Sequence, residues 1–399
     1  MLTANSYFKQ SFGDFNTSLT LRYQFERYTG NFARVSGSQF VVSEVPQPQA
    51  LTTATITNTA SNTDVRAENF FINGIFDYKE KYIFEALVRR DASSLFGSEA
   101  RSQIFFRLSG AWRITEDIEI PGVQEWKIRA SYGTSGQRPP FIAQYETFNI
   151  VNGVPVKDLL GNNRLRPSRV AEIEVGTNLL FLNRFNAEFN YATATADDQV
   201  LIVPLLAYAG FTQQFQNAGQ MRTNTIEFSL GAEILREEDW KFNMNIVGSR
   251  TIQEVTQLGR PPFPTNGDFG VAAAGGVANT MFRIEAGQPF GVMYGNRHAR
   301  SLDELQVDAN GFVTNLVGLP RGVLRREDFT INSDGYVIRR FAPISTTNFA
   351  NSTNPVEGTI NERAWLLADE TGAPLVTKIG DSNPDLILSI SGTLSWKKL

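Results

Sequence analysis

The chain has 399 residues, 37 Lys plus Arg against 41 Asp plus Glu, a net charge of −4, one histidine and no cysteine. Without cysteine there are no disulfides or thiolate metal sites, and with His298 as the only imidazole neither a multi-histidine metal centre nor a histidine-based triad is expected. The balanced charge lacks the basic stripe of a nucleic-acid binder, and no apolar run approaches the roughly 18 residues a membrane helix needs.

Taken in order, residues 14–27 predict the first clear strand, with Phe15, Leu19, Leu21, Tyr23 and Phe25 on one face. Residues 28–65 are rich in Ser, Thr, Asn, Gln and Pro and are expected as a long loop. A strand over 67–78 carries Phe70, Ile72, Phe76 and Tyr78 into the DYKEKY turn. Two long strands follow within 81–114. Tyr82, Phe84, Ala86 and Val88 oppose Glu85, Arg89 and Asp91; then Ile104, Phe106, Leu108 and Trp112 oppose Gln103, Arg107, Ser109 and Arg113.

Beyond a connection of roughly ten residues, Trp126, Ile128, Ala130 and Tyr132 alternate with Lys127, Arg129 and Ser131. Residues 135–168 are expected as a loop, then a hairpin turns near Leu182 and Asn183. Its apolar positions, including Ile173, Val175, Phe185 and Phe189, oppose Glu172, Glu174 and Glu188. Residues 196–223 read as another loop, followed by a hairpin in which Ile226, Phe228, Trp240 and Phe242 oppose Glu227, Glu233 and Lys241. Residues 253–384 show no long alternation and are expected as a loop region with short strands at 289–294 and 335–341; a last strand spans 385–396.

Strands that are apolar on one face and charged on the other, joined alternately by short turns and long loops, predict an all-β, antiparallel transmembrane barrel with lipid outside and water inside. About ten strands are counted, so residues 1–399 are expected to be part of a larger barrel. The N-terminus has no basic segment followed by an apolar core, so an exported chain is expected to be a fragment. Interfacial rings are expected at the short-turn, periplasmic side: Tyr78, Tyr82, Trp112, Trp126, Trp240 and Trp396. Lumen-facing charges are expected at Arg89, Arg107, Arg129, Glu172, Glu174 and Glu227, on alternation alone.

The ordered segments KYIFEALVRRDASSLFG, AWRITED, WKIRASYGTSGQ, GNNRLRPSRVAEIEVG, NAGQMRTNTIEFSL, GQPFGVMYG and IGDSNPDL resemble the C-terminal part of SusC/RagA-like TonB-dependent outer-membrane transporters. The resemblance spans most of residues 66–396. It implies a 22-strand-type barrel, an N-terminal plug, a segment that contacts TonB, and a SusD-like surface lipoprotein that captures glycans or peptides. The plug and the final strands are not recognised in residues 1–399.

Candidate chemistry is sparse. Glu172 and Glu174 share a strand face at about 7 Å, a spacing a glycosidase pair could use, but a water-filled face gives no desolvated acid. Asp381, Asn383 and Asp385 resemble the start of a calcium loop, without its Gly at the sixth position or Glu at the twelfth, and are better read as a polar turn. His298 is expected as an ordinary loop residue. No cofactor or enzymatic activity is expected. Tyr145, Phe148, Tyr208, Phe211 and Phe215 are candidate loop aromatics for cargo or partner contact.

The function expected is nutrient import, of an oligosaccharide or peptide, through the outer membrane. The partners are a SusD-like lipoprotein, TonB through a segment not seen here, and outer-membrane lipid. The alternatives are a passive outer-membrane barrel and a soluble all-β ligand-binding module, the latter lacking the repeat of fixed period it would need.

Overall fold

A computed structural model describes residues 1–42, 45, 47, 50–52, 57–98, 100–151, 153–264, 282–345, 348, 350–359 and 362–397. The chain forms two compact units, Met1–Pro261 with Pro384–Leu399, and Pro262–Asn383.

The first unit is one antiparallel sheet. Its long strands are β1 (Leu2–Phe12), β2 (Phe15–Ser36), β3 (Thr57–Tyr78), β4 (Tyr82–Ser93), β5 (Ser102–Arg113), β6 (Val123–Gln137), β7 (Ser168–Phe181), β8 (Phe185–Pro204), β9 (Gln213–Arg236), β10 (Trp240–Leu258) and β11 (Ile387–Trp396). Each pairs with its neighbours in sequence, from β1 at one edge to β11 at the other. The two-residue strand Leu159–Leu160 adds in parallel to β9.

The turns of two or three residues all lie at one end of the sheet. Gly13 takes φ +59° in the β1–β2 turn. Lys79–Glu80 and Leu182–Asn183 take positive φ in the β3–β4 and β7–β8 turns. Such values are uncommon for residues with a Cβ, and the type I′ turns closed here by Lys81 N–H to Tyr78 O and Arg184 N–H to Phe181 O require them at both central residues. The chain reverses from β9 to β10 within 237–239, and a 3₁₀ turn at Ile114–Glu116 leads from β5 towards β6.

Three expectations are corrected. Residues 2–12, to which no strand was assigned, form one, and the long strands number eleven, in keeping with the ten or more expected. Much of 28–65 is strand, because β2 and β3 pair from Phe15↔Tyr78 out to Ser36↔Thr57. The expected loop 196–223 shrinks likewise, since β8 and β9 stay paired to Pro204↔Gln213. In each stretch both faces are polar or mixed, which removes the alternation that reveals a strand although backbone pairing continues.

The expected loop 135–168 contains a small hairpin, Phe148–Val151 with Val154–Lys157, and then docks. Gly97 N–H donates to Leu165 O at 2.9 Å and Ser98 N–H to Asn163 O at 3.1 Å. A Cβ on Gly97 would sit 2.6 Å from Leu165 O, so only glycine fits. Leu165 is fully buried. Arg166 reaches Asp198 at 2.6 Å, and Asn217 Nδ2 donates to the carbonyls of Arg166 and Asp198 at 2.9 and 2.8 Å. The GNNRLRPS segment therefore ties the β4–β5 connection to β8 and β9.

The second unit has its own apolar core of Ala299, Leu305, Val313, Leu316, Leu324, Phe329, Val337 and Leu367, each no more than 2% exposed. Short ladders frame it: Val292–Asn296 with Val376–Asp381, Phe329–Ile331 with Val337–Arg339, and Phe341–Pro343 with Asn351–Pro355. Truncation of Phe329 to Ala is expected to cost this unit about 3–5 kcal/mol. Hydrogen exchange should then accelerate at the core amides of Ala299, Val313 and Leu367 while β4–β8 stay protected. Unchanged exchange would mean that these residues are not one cooperative core.

Candidate functional site

Towards the short-turn end, the pairing registers put the aromatic and apolar rows of the sheet on one face and most of the charges on the other. Trp112 opposes Tyr82 and Ile128, Trp126 opposes Leu179, and Trp240 opposes Trp396. Directly opposite residues share a face, and so do residues two apart on a strand. All four tryptophans, with Tyr78 and Tyr82, therefore lie on the apolar face at the short-turn end.

There the rings Phe15, Tyr78, Tyr82 and Trp112 follow one another across four strands, with centroid separations of 4.5, 6.4 and 6.3 Å. Trp240 and Trp396 stack at 5.7 Å, and Trp126 Nε1 donates to Thr177 Oγ1 at 3.0 Å. Apolar residues on β2 run from Phe15 to Phe25 before Arg27 begins a polar stretch. At about 3.3 Å per residue and a tilt near 45°, that span is roughly 23 Å, the height of a membrane-facing band.

The apolar face is uncovered, with Ile104 66% and Ile390 64% exposed. The chain exposes 25903 Å² in all. A compact soluble protein of 44.4 kDa would expose about 15,500 Å². No helix among the described residues is long and apolar enough to cross a membrane, which says nothing of strands.

Asp117, in the β5–β6 connection, ties this row to water. It accepts from Lys81 Nζ at 2.8 Å, Tyr82 Oη at 2.7 Å and Trp112 Nε1 at 3.0 Å. These bonds, the Lys81 bond foremost, lower its carboxyl from 3.8 to about 2. A depressed carboxylate contributes stability that is fully present above its ordinary value and is lost as pH falls through its folded one. Trp112 fluorescence is therefore expected to be flat above about pH 4 and to change with a midpoint near 2, a transition that Asp117→Asn removes. A midpoint near 4, or a transition that persists in the variant, would contradict this.

On the opposite face stand Arg89, Arg107, Arg129, Glu172, Glu174 and Glu227. Arg129 is the hub. Its guanidinium contacts Glu188 at 2.7 Å, Asn190 at 2.6 Å and Asn178, with Glu174 at 4.0 Å. Gly176, between Arg129 and Asn190 in the ladder, makes the room: a Cβ there would lie 2.3 Å from Asn190 Oδ1. Arg107 pairs with Glu85, and Arg89 pairs with Asp91. Arg138, just beyond β6, reaches past β5, β4 and β3 to Glu26 in β2 at 3.1 Å. Glu172 lies in one ladder row with Gly133 and Arg107, and Glu227 in one row with Asn190, Gly176 and Arg129.

The loop aromatics separate into two groups. Tyr145, Phe148 and Tyr208 are exposed, Tyr208 to 88%. Phe211 is buried, with Lys157 Nζ 4.8 Å from its ring and Phe148 at 6.3 Å, and Phe215 is a β9 residue opposite Ile202. Neither is an exposed loop ring: Phe211 stays in the 205–212 connection but is buried there, and Phe215 is taken up by the extension of β9. His298 packs edge-on to Tyr336 at 5.8 Å, and Asp381 accepts from Asn383 N–H at 2.7 Å within a turn. Among the described residues no group of three His, Cys, Asp or Glu side chains could hold a metal. Sequence reasoning passed over Asp117, Lys81, Glu26 and Arg138; only the position of Asp117 between two tryptophan-bearing strands could have signalled a role.

A family model described as "TonB dependent receptor-like, beta-barrel" matches residues 2–337. The chain belongs to the TonB-dependent receptor β-barrel family. Proteins of this family reside in the outer membrane, and they are receptors and transporters. TonB-dependent receptor P3 of Formosa agariphila is 27% identical over 72% of this chain and 30% of its own length. TonB-dependent receptor P39 of the same organism is 29% identical over 65% and 25%. The chain thus spans less than a third of these TonB-dependent relatives. Among solved structures, the RagAB peptide transporter matches with a TM-score of 0.69 at 19% identity, covering 99% of this chain and 39% of that one. The RagAB peptide importer in its "open-open" state matches at 0.67 and 18%. The fold of this TonB-dependent receptor chain is theirs: nearly all β and antiparallel.

Proposed function

We propose that this chain is part of the wall of a TonB-dependent transporter that imports a nutrient of the oligosaccharide or peptide class. A SusD-like surface lipoprotein delivers the cargo, and TonB supplies energy through a segment outside the described sheet. The observation that carries this reading is the two-faced sheet. One face is apolar, uncovered and edged by aromatic rings; the other is polar with paired charges, as a water-filled passage requires. The short turns then face the periplasm and the long loops the exterior, and residues 259–386 are an elaborated outer loop. A plug and further strands complete the barrel. Membership of the family and the likeness to a peptide transporter support peptide as readily as glycan.

The exposed rings Tyr145, Phe148 and Tyr208 contact cargo or lipoprotein in this reading. Uptake of labelled oligopeptides and oligosaccharides by cells carrying the intact receptor is expected to vanish when TonB is deleted. Persistence without TonB would favour a passive barrel. Tyr145→Ala with Tyr208→Ala should weaken cargo capture roughly 2- to 10-fold and leave receptor abundance in the outer membrane unchanged. Unaltered capture would remove these rings from the site.

A further inference from the structure

Directly after β6 the chain leaves the plane of the wall. Adjacent strands are about 4.8 Å apart, so four spacings, roughly 19 Å along the sheet, separate β6 from β2. Arg138 nevertheless places its guanidinium 3.1 Å from the Glu26 carboxylate of β2, and Gln24 Nε2 donates to the same carboxylate at 2.5 Å. Two side chains do not bridge that interval from backbones held in the sheet. The backbone at Arg138 therefore lies over the polar face, on the side of β5 and β4.

The burial pattern agrees. Ala67, Asn69, Asp91, Ser93 and Phe105 are all on the polar face, and each is no more than 8% exposed. Arg107, two residues along β5 towards the short-turn end, leaves 49% of its side chain in the open. Gly136, near the end of β6, makes room for the Phe105 ring: a Cβ there would lie 2.3 Å from it.

The segment that follows is firmly seated. Pro139 is fully buried, Phe141–Gln144 forms a 3₁₀ turn, and Ala143 within it is buried as well. Gln144 Nε2 donates to Ser94 O at 3.2 Å, and Asn162 N–H to Ala143 O at 2.9 Å. One side of the turn stays open. Ile142 and Tyr145 are exposed there, and the Phe141 ring lies 5.2 Å from that of Tyr145. Two rings and a branched aliphatic chain match an apolar side chain better than a glycan, whose hydroxyls would give up water against them.

We propose that Phe141, Ile142 and Tyr145 form a cargo contact on a ledge over the polar face, that the contact takes an apolar side chain of an extended peptide, and that Arg138 and Glu26 are its positioning residues. The ledge rests on the import reading given above, in which the polar face lines the passage.

The test uses cells carrying the intact receptor, and labelled oligopeptides of equal length and charge with either Leu or Ser at one position. One variant carries F141S and I142S; the others are R138E, E26R and the two together. Uptake is normalised to the receptor present in the outer membrane. F141S with I142S should raise the apparent KM for the Leu peptide roughly tenfold, and leave the KM for the Ser peptide and both maximal rates unchanged. R138E and E26R should each reproduce this loss, and their combination, which exchanges the two charges, should restore most of the selectivity. An equal change for both peptides, or none for either, would overturn the ledge as a selective contact. Loss in the single variants without recovery in the double one would overturn the positioning role of the pair. Import of a labelled oligosaccharide but of neither peptide by the unsubstituted receptor would overturn this contact and leave the import reading standing. Absence of any uptake by the unsubstituted receptor would overturn that reading, and the ledge with it.

Discussion

Inside hydrocarbon a peptide group has no partner but another peptide group, and this determines the rest of the molecule. A strand can enter lipid only when both of its edges are paired, so the chain lays down eleven strands in sequence order, each on its predecessor. Once the backbone is committed in this way, a side chain has two destinations, and they alternate. The apolar face does not make a core with anything in its unit. It is left for the solvent, which explains a surface so far above that of a soluble chain of equal mass. Conventional burial is concentrated in the second unit and beneath the docked loops.

The charges on the polar face follow a different economy. Arg129 is 30% exposed and its partner Glu188 is 39% exposed, so their ion pair contributes only about 0–1 kcal/mol. Such pairs are too weak to be what holds the strands in place; the backbone ladder and the lipid do that. They keep a wall hydrophilic while leaving it near neutrality, as the whole chain is. Which of the two surroundings a side chain meets depends on the parity of its position in the strand.

Parity was readable without coordinates wherever one face met lipid. In β4, β5 and β6 the alternation of Tyr82, Phe84 and Val88 with Glu85 and Arg89 is enough to assign both faces. Legibility stopped where lipid stopped. Beyond Phe25 in β2 and beyond Tyr191 in β8 both faces meet water or other loops, so Thr29, Asn31 and Thr195 carry no period although the ladder runs on. Phe215 was assigned to a loop for that reason. The second unit was illegible for another: its core gathers single residues such as Leu305, Leu324 and Leu367 from irregular segments, and no window of sequence holds a period to find. The Asp117 cluster joins residues from two connections, Lys81 and Asp117, which only the pairing of β4 with β5 brings together.

The second unit also bears on how the sheet can be assembled. Residues 259–386 separate β10 from β11, and a flexible tether of that length would carry a closure entropy that grows with the logarithm of its length. Within the insertion, two segments far apart in sequence are instead clipped to each other. Val292–Asn296 pairs with Val376–Asp381, Ser382 Oγ donates to Gly291 O at 3.1 Å, and Asn383 Nδ2 donates to Phe290 O at 2.8 Å. Once that clip has closed, residues 297–375 no longer add to the length of chain that joins β10 to β11. The insertion carries the means of its own insulation: evolution can enlarge or rewrite what lies beyond the clip without slowing the zippering of the last strand pair.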